Sequence, residues 1–159
     1  MQEDIHTWSA SRIAECVRSG RVSATEVVRQ VLDRIESVDP LVNAYATVDR
    51  QGGLAAAADV DRCVARGEPV GPLAGVPFSV KDLVATAGME TAYGSHVYAG
   101  NVPAQDAQAV ARLRAAGAVL LGKTTTPEFG YKALTSSPRH GHTRNPWVFG
   151  RSPGGSSGG

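Results

Sequence analysis

The alternation of apolar and polar positions predicts that helices dominate the first part of the chain. Residues 9–19 are expected to form a short helix that ends at Gly20. A second helix begins at residues 23–26, where a Ser-x-x-Glu capping box satisfies free backbone N–H groups. Its apolar positions recur every three or four residues and form one face, made by Val27, Val28, Val31, Leu32, Ile35 and Val38. We expect Asp39-Pro40 to end it, since the residue before a proline is pushed out of helical geometry.

Strands and further helices are predicted along the rest of the chain. Two more stretches have helical patterns, namely the Ala-rich residues 53–66 and residues 106–116, which begin at a capping Asp. Short β-prone runs lie at residues 43–48 and 76–80, and residues 118–121 are continuously apolar, which is typical of a buried strand. A helix, a tight glycine turn and a buried strand in that order predict an α/β fold with an at least partly parallel sheet.

Composition changes near residue 70. Residues 1–70 contain eight Arg and eleven acidic residues, whereas residues 71–159 contain eight basic and four acidic residues. Of the eighteen glycines, fourteen lie from position 71 onward, interleaved with apolar residues, which indicates tight turns or ligand loops more than a linker. We therefore expect residues 1–70 to form a peripheral helical layer and residues 71–159 to form the start of an α/β core.

Length and charge exclude several classes of protein. A chain of 159 residues holds a single domain, and its net charge of +1 gives no reason to expect a nucleic-acid partner. Cys16 and Cys63 lie in predicted helices and are expected to be buried free thiols. The polar N-terminus does not resemble a signal peptide, and no apolar run is long enough to span a membrane. We expect a soluble cytoplasmic protein without a membrane partner.

One stretch matches a nucleotide-binding pattern. Residues Gly117–Thr124 fit the phosphate-loop sequence G-x-x-x-x-G-K-[ST] letter for letter. A phosphate loop needs a strand before it and a helix after it, whereas here the predicted helix comes first and a strand occupies the middle. A glycine turn followed by a buried strand is the favoured interpretation, and nucleotide binding stays a disfavoured alternative.

Two histidines raise the question of a metal site. His140 and His142 lie one residue apart, but the sequence places no third ligand near them. We expect an exposed pair in a loop and no bound metal.

A lysine and a Gly-Ser run are the strongest candidates for chemistry. Lys81 ends a β-prone run, where burial would lower its pKa, as a lysine that acts as a base requires. Taken alone, a lysine at a strand end more often extends its amine into solvent. The Gly-Ser run of residues 150–159 would by itself be typical of a flexible tail, although the upstream Asn145-Pro146-Trp147 is foreign to a linker.

Four stretches resemble, in content and order, those of the amidase signature family. They are residues 71–82, 113–124, 143–147 and 153–159. The resemblance is dense from Gly71 onward and weaker before it. It implies the N-terminal part of that family's fold, a mixed β-sheet flanked by helices and incomplete in this chain.

The resemblance implies a Ser–cisSer–Lys triad. Lys81 would be the base and Ser156 the bridging serine, with a cis peptide bond between Gly155 and Ser156 and a supporting, less direct hydrogen-bonding role for Ser157. Neutral Lys81 would take a proton from Ser156, which would take one from a nucleophilic serine, giving an acyl-enzyme that water releases. No cofactor is implied.

The family's nucleophile and oxyanion hole are expected beyond Gly159. The complete enzyme would hydrolyse a small carboxylic amide to an acid and an amine or ammonia, whereas residues 1–159 alone are expected to be inactive and poorly soluble. Candidates for one wall of the substrate pocket are Phe129, Tyr131 and Leu134. A homodimer is a further expectation for the full-length enzyme.

Two alternatives stay open within the resemblance. The first is the A subunit of a glutamine-dependent amidotransferase, which releases ammonia for a partner enzyme. Residues 126–129, Thr-Pro-Glu-Phe, look more like the stand-alone amidases, so the amidotransferase is the second interpretation. The other alternative is a non-catalytic interaction fragment whose site has decayed.

Overall fold

The computed structural model describes residues 4–159. Within them the chain forms four α-helices, namely α1 (Ala10–Arg18), α2 (Ala24–Val42), α3 (Arg50–Ala65) and α4 (Gln108–Ala115). The strands of the same residues are β1 (Tyr45–Val48), β2 (Pro77–Lys81), β3 (Val119–Thr124), β4 (Ser136–Ser137) and β5 (Gly141–His142). Single 3-10 turns lie at Ile5–Thr7 and Glu128–Gly130.

The main sheet has three strands in the order β1-β3-β2, and β4 pairs with β5 in a small antiparallel hairpin. β1 runs antiparallel to β3. β2 and β3 run parallel, because Val119 N–H donates to Val76 C=O near their start and Asp82 N–H donates to Thr124 C=O near their end. The sheet is therefore mixed, and the prediction of an α/β fold with partly parallel strands is confirmed.

The chain divides into two compact units. The first comprises residues up to Glu36, Asp49–Phe78 and Ala111–Leu121. The second comprises Ser37–Val48, Ser79–Val110 and Gly122–Gly159. A functional boundary at residue 70 stays a prediction.

The core of the first unit is built on the apolar face predicted for α2. Val27, Val28 and Leu32 are at most 1 % exposed and pack in one cluster with apolar side chains of α1, α3 and β3. The Ser23 half of the predicted capping box is present at the start of α2, since the Ser23 hydroxyl accepts the N–H of Glu26 at 3.0 Å. The carboxylate of Asp61 adds bonds from the N–H groups of residues 24 and 25.

Truncating Leu32 should destabilise the chain strongly. Leu32 is 1 % exposed, so Leu32→Ala removes buried methyl groups and leaves a cavity, and we expect the free energy of unfolding to fall by about 2–5 kcal/mol. Leu41 lies in the same helix and is 55 % exposed, so Leu41→Ala is the matched control. Urea unfolding followed by circular dichroism measures both variants, and equal losses would contradict the assignment of the core.

The prediction that Asp39-Pro40 ends α2 is wrong. The helix continues to Val42 with Pro40 inside its last turn, where a missing N–H removes one hydrogen bond. Asp39 compensates, because its C=O accepts the N–H of Asn43 at 2.7 Å and its carboxylate accepts the N–H groups of Ala44 and Tyr45. The helix ends at Val42, and Asn43 follows it with the left-handed φ of 54°.

The remaining helices follow the predicted order with shifted ends. α3 begins three residues before its predicted start, because the Asp49 carboxylate caps it by accepting the N–H of Gly52 at 2.8 Å. α4 is shorter than predicted, and the carboxylate of Asp106 accepts the N–H of Ala87 at 2.7 Å. Cys16 is a buried free thiol, and Cys63 is free and half-buried.

The stretch that matches a phosphate loop has a different structure. Gly117 follows α4 with a φ of 86°, and β3 occupies Val119–Thr124. Lys123, which would face phosphate in such a loop, is fully buried. A helix precedes this stretch and a strand forms its middle, so the interpretation as a glycine turn and a buried strand is the one that the structure shows. Among residues 4–159, none of the helices has the length and apolarity needed to cross a membrane.

Candidate active site

Lys81 is the last residue of β2, in the second unit. The turn that follows it is fixed by backbone bonds, since Val84 N–H donates to Lys81 C=O at 2.9 Å and Asp82 N–H donates to Thr124 C=O at 2.9 Å. The preceding residue, Val80, is buried. The strand end therefore holds the backbone of the lysine in place while its side chain is half-buried.

The lysine amine contacts the Gly-Ser run. Lys81 Nζ lies 2.6 Å from Ser156 Oγ and 3.1 Å from Ser157 Oγ. The peptide bond between Gly155 and Ser156 is cis, as the resemblance to the amidase signature family implies. Ser157 thus contacts the lysine directly and not through a third group. A run that by itself resembled a flexible tail is joined to a residue 75 positions earlier.

Glycine lets the serine loop approach the backbone of residue 134. A Cβ on Gly155 would lie 2.8–3.0 Å from three backbone atoms of Leu134, closer than a carbon atom tolerates. The hydroxyl of Thr135 also donates to the C=O of Gly154 at 2.9 Å. Leu134 and Thr135 therefore support the loop from one side, and position 155 has room only for glycine.

Burial lowers the pKa of Lys81 from its ordinary value. The cause is the loss of water around the amine, which disfavours the charged form. A neutral amine has a free lone pair and accepts a proton, whereas an ammonium group has none. The position of Lys81 thus favours the form that serves as a base.

An aromatic cluster lies in the same unit. The rings of Tyr93, Tyr98 and Phe129 have centroids 5.0–6.5 Å apart, in edge and stacked contacts. Tyr93 and Phe129 both have a positive φ, 56° and 50°, and Phe129 N–H donates to Tyr93 C=O. Bulky residues rarely adopt this conformation, and it is more frequent at functional sites than elsewhere. Sequence reasoning missed both tyrosines, and their spacing gave no signal.

The three candidates for the substrate wall are all exposed. Phe129, Tyr131 and Leu134 are 52 %, 70 % and 44 % exposed, respectively. Phe129 belongs to the aromatic cluster, and Leu134 lies against Gly155. Tyr131 lies under the amine of Lys132, which is 5.1 Å from its ring centroid.

The expectation of an exposed histidine pair is wrong for His140. Its side chain is 15 % exposed, and Nε2 lies 3.6 Å from the buried carboxylate of Asp82. The hairpin of β4 and β5 fixes this position, because His140 N–H donates to Ser137 Oγ and His140 C=O accepts from Asn43 Nδ2. His142 is exposed. Over residues 4–159, no three His, Cys, Asp or Glu side chains are grouped as metal ligands.

Comparison with known proteins identifies the family. The amidase family matches residues 26–159 of the chain. The chain belongs to the amidase signature family. Its fold agrees with a bacterial aryl acylamidase of that family, with a TM-score of 0.94 and 34 % identity over 98 % of this chain and 33 % of the other.

Relatives in this amidase family have two kinds of name. The A subunit of the glutamyl-tRNA(Gln) amidotransferase from Salinispora tropica is 49 % identical over 156 residues, which are 98 % of this chain and 32 % of the relative. The acylamidase of Rhodococcus erythropolis is 42 % identical over 156 residues, 98 % of this chain and 33 % of the relative. The chain thus spans about a third of the length of the relatives that it matches.

Proposed function

We propose that Lys81 and Ser156 are the base and the proton relay of an amidase that hydrolyses a carboxylic amide. The observation that carries the proposal is the distance of 2.6 Å between Lys81 Nζ and Ser156 Oγ. The lowered pKa of Lys81 supports it, because a lysine must be neutral to act as a base. The match to the amidase family over residues 26–159 supplies the reaction class.

The proton moves in two steps. The lone pair of neutral Lys81 accepts the proton of the Ser156 hydroxyl, and Ser156 Oγ accepts the proton of a nucleophilic serine located beyond Gly159. That serine attacks the amide carbonyl and forms an acyl-enzyme, the leaving amine receives the proton, and water then releases the acid. One of the two N–H groups of the neutral amine donates to Ser157 Oγ at 3.1 Å, which keeps the lone pair directed at Ser156.

The substrate is a small amide, and a stand-alone amidase is the favoured form of the enzyme. The exposed apolar side chains of Phe129 and Leu134 are candidates for a wall that faces an apolar acyl or amine group. Similarity to an acylamidase and an aryl acylamidase supports this choice. The 49 % identity to the A subunit of an amidotransferase supports the alternative, in which glutamine is the amide and ammonia passes to a partner enzyme.

The first experiment reads the coding sequence past Gly159. We name the chain together with the residues encoded after Gly159 the extended chain, and we expect a Gly-Gly-Ser segment shortly after that position. The purified extended chain should hydrolyse p-nitroacetanilide, whereas residues 1–159 alone should not. A partner-dependent release of ammonia from glutamine, without aryl amide hydrolysis, would favour the alternative. Absence of both activities from a folded extended chain would overturn the proposal.

The rate should depend on pH through Lys81. Its folded-state pKa lies below the ordinary value, so the protonated, inactive form disappears at a lower pH than for a free lysine. We therefore expect kcat/KM of the extended chain to rise with pH and to level off below pH 10.4, the ordinary lysine value. A pH–rate profile with p-nitroacetanilide measures this limb. A rate that levels off only above pH 10.4 would contradict a lowered pKa of Lys81.

Location, assembly and domain division are further proposals. We propose that the protein is cytoplasmic, that the extended chain forms a homodimer, and that residues 1–70 form a layer peripheral to the catalytic core. Poor solubility of residues 1–159 alone is also expected, because large apolar side chains such as Trp147, 91 % exposed, face solvent. Light scattering of the extended chain at twice its monomer mass would support the dimer.

A further inference from the structure

Lys123 is a buried charged residue that the proposed proton relay does not use. It lies on β3 and has the largest side chain among the fully buried residues, with 0 % exposure. A lysine is almost never fully buried unless its amine is paired. Its position in the phosphate-loop pattern does not explain its burial, since this stretch does not form a phosphate loop. The amine of Lys123 is directed at the segment that follows Lys81.

The amine of Lys123 has three acceptors on one segment. Nζ donates to Val84 C=O at 2.5 Å, to Thr86 Oγ1 at 3.0 Å and to Thr91 Oγ1 at 2.9 Å. An ammonium group has three N–H donors, so the charged form is fully satisfied. Both hydroxyls donate onward to backbone carbonyls, which leaves their lone pairs for the lysine. Each threonine hydroxyl thus accepts from Lys123 and donates to a backbone carbonyl.

Val84 connects this network to Lys81. The same Val84 whose C=O accepts from Lys123 donates its N–H to the C=O of Lys81. Asp82, which follows Lys81, is 2 % exposed and accepts the N–H groups of Ala92 and Gly94. Two buried groups of opposite charge therefore hold the segment of residues 84–94 against the end of β2.

The charge on Lys123 has an energetic cost. Burial lowers its pKa to about 8, and the charges of Asp82 and Asp106 oppose that shift. The ammonium form still predominates at pH 7. Because the folded-state pKa is below the ordinary one, the folded chain releases this proton at a lower pH than the unfolded chain does. The contribution of Lys123 to stability therefore rises from about pH 8 toward pH 10.4. At neutral pH the charged form of Lys123 is therefore less favourable in the folded chain than it would be in water.

We propose that Lys123 is a positioning residue for Lys81, which fixes residues 84–91 through its three hydrogen bonds and thereby keeps the Lys81 amine within reach of Ser156. The proposal rests on the proposed function of Lys81 as a base. Its physical reason is that proton transfer requires the two heavy atoms at hydrogen-bond distance, and a misplacement of about 1 Å costs about 10²-fold in rate.

The test uses Lys123→Met in the extended chain. This variant keeps a long apolar stem in the buried space and removes the three donors. We expect kcat for p-nitroacetanilide to fall by about 10²-fold with KM changed less than about twofold. Two effects on stability oppose each other, since the charge is removed but three acceptors lose a donor. Thermal unfolding should therefore change much less than activity. Arg112→Met removes one positive charge from an exposed position on α4 and is the control.

A second measurement does not depend on amidase activity. The chain has three lysines, so acetic anhydride labelling followed by mass spectrometry reports on each amine separately. The midpoint of the labelling rate of Lys81 against pH gives its pKa whatever its accessibility. In Lys123→Met this midpoint should rise toward the ordinary lysine value, because a loosened segment lets water reach the amine. In Arg112→Met it should not move.

The outcomes separate the two proposals. An extended chain that hydrolyses no amide overturns the proposed function, while the labelling midpoint still decides the role of Lys123. A folded Lys123→Met variant with unchanged kcat and unchanged Lys81 midpoint overturns the positioning role and leaves the proposed function intact. If Lys123→Met does not fold, Thr91→Val replaces it, since that change keeps the lysine and removes one acceptor. Smaller changes in kcat and in the Lys81 midpoint would then support the proposal. If neither kcat nor the midpoint changed, the proposal would be overturned.

Discussion

Replacing Lys81 with Ala in the extended chain is expected to lower kcat for amide hydrolysis by about 10²–10⁴-fold. The reason is that the amine, 2.6 Å from Ser156 Oγ, is the group that starts proton transfer. Ser156→Ala should cause a loss of the same order, because it interrupts the relay between the lysine and the nucleophile. Ser157→Ala should cost less, since its contact at 3.1 Å directs the amine and does not carry the proton.

The double variant Lys81→Ala with Ser156→Ala is the sharpest control. Groups that act as one relay lose their effect together, so the double variant should be about as slow as either single one. Steady-state kinetics with p-nitroacetanilide measures the parent, the two single variants and the double variant, and circular dichroism checks that each is folded. Losses that multiply in the double variant would show that the two residues act independently, which contradicts the relay.

The second large effect is expected at Gly122, in the middle of β3. Gly122 lies opposite Val48 of β1, and a Cβ built on it would overlap the carbonyl oxygen of Thr47 and lie 3.1 Å from Val48 Cα. Backbone atoms of a paired strand have little freedom to move aside. We expect Gly122→Ala to lower the free energy of unfolding by about 3 kcal/mol or more.

Gly150→Ala is the matched control for that prediction. A Cβ at Gly150 would meet no atom within 4 Å, so the free energy of unfolding should stay within about 0.5 kcal/mol of the parent. Urea unfolding of the extended chain measures both variants. If Gly122→Ala were as stable as Gly150→Ala, the pairing of β1 with β3 at this position would be wrong.

Local patterns predicted much of the fold. The apolar spacing of α2, the Ser23 cap at its start and the continuous apolar run of β3 each depend on near neighbours, and each is present in the structure. Pro40 shows where a local rule was incomplete. The rule considers the clash that pushes the residue before a proline out of helical geometry, whereas the carboxylate of Asp39 supplies bonds to Ala44 and Tyr45 that favour one more helical turn.

The candidate site depended on long-range contacts that no local pattern contains. Lys81 and Ser156 are 75 positions apart, and the resemblance to a family, more than spacing, indicated that they meet. His140 beside Asp82 and Tyr93 beside Phe129 had no such guide. The positive φ of Tyr93 and Phe129 was equally unpredictable, because the conformation of each depends on tertiary packing and not on its neighbours in sequence.

The order of synthesis determines when the hydrogen bonds of Lys123 can form. All three of its acceptors, on Val84, Thr86 and Thr91, precede it in the chain. Ser156 is synthesised 33 residues after Lys123, which at about 5–20 residues per second corresponds to a delay of seconds. Segments of this length close in far less time than that. During synthesis, the bonds that hold the base can therefore form before its serine partner leaves the ribosome.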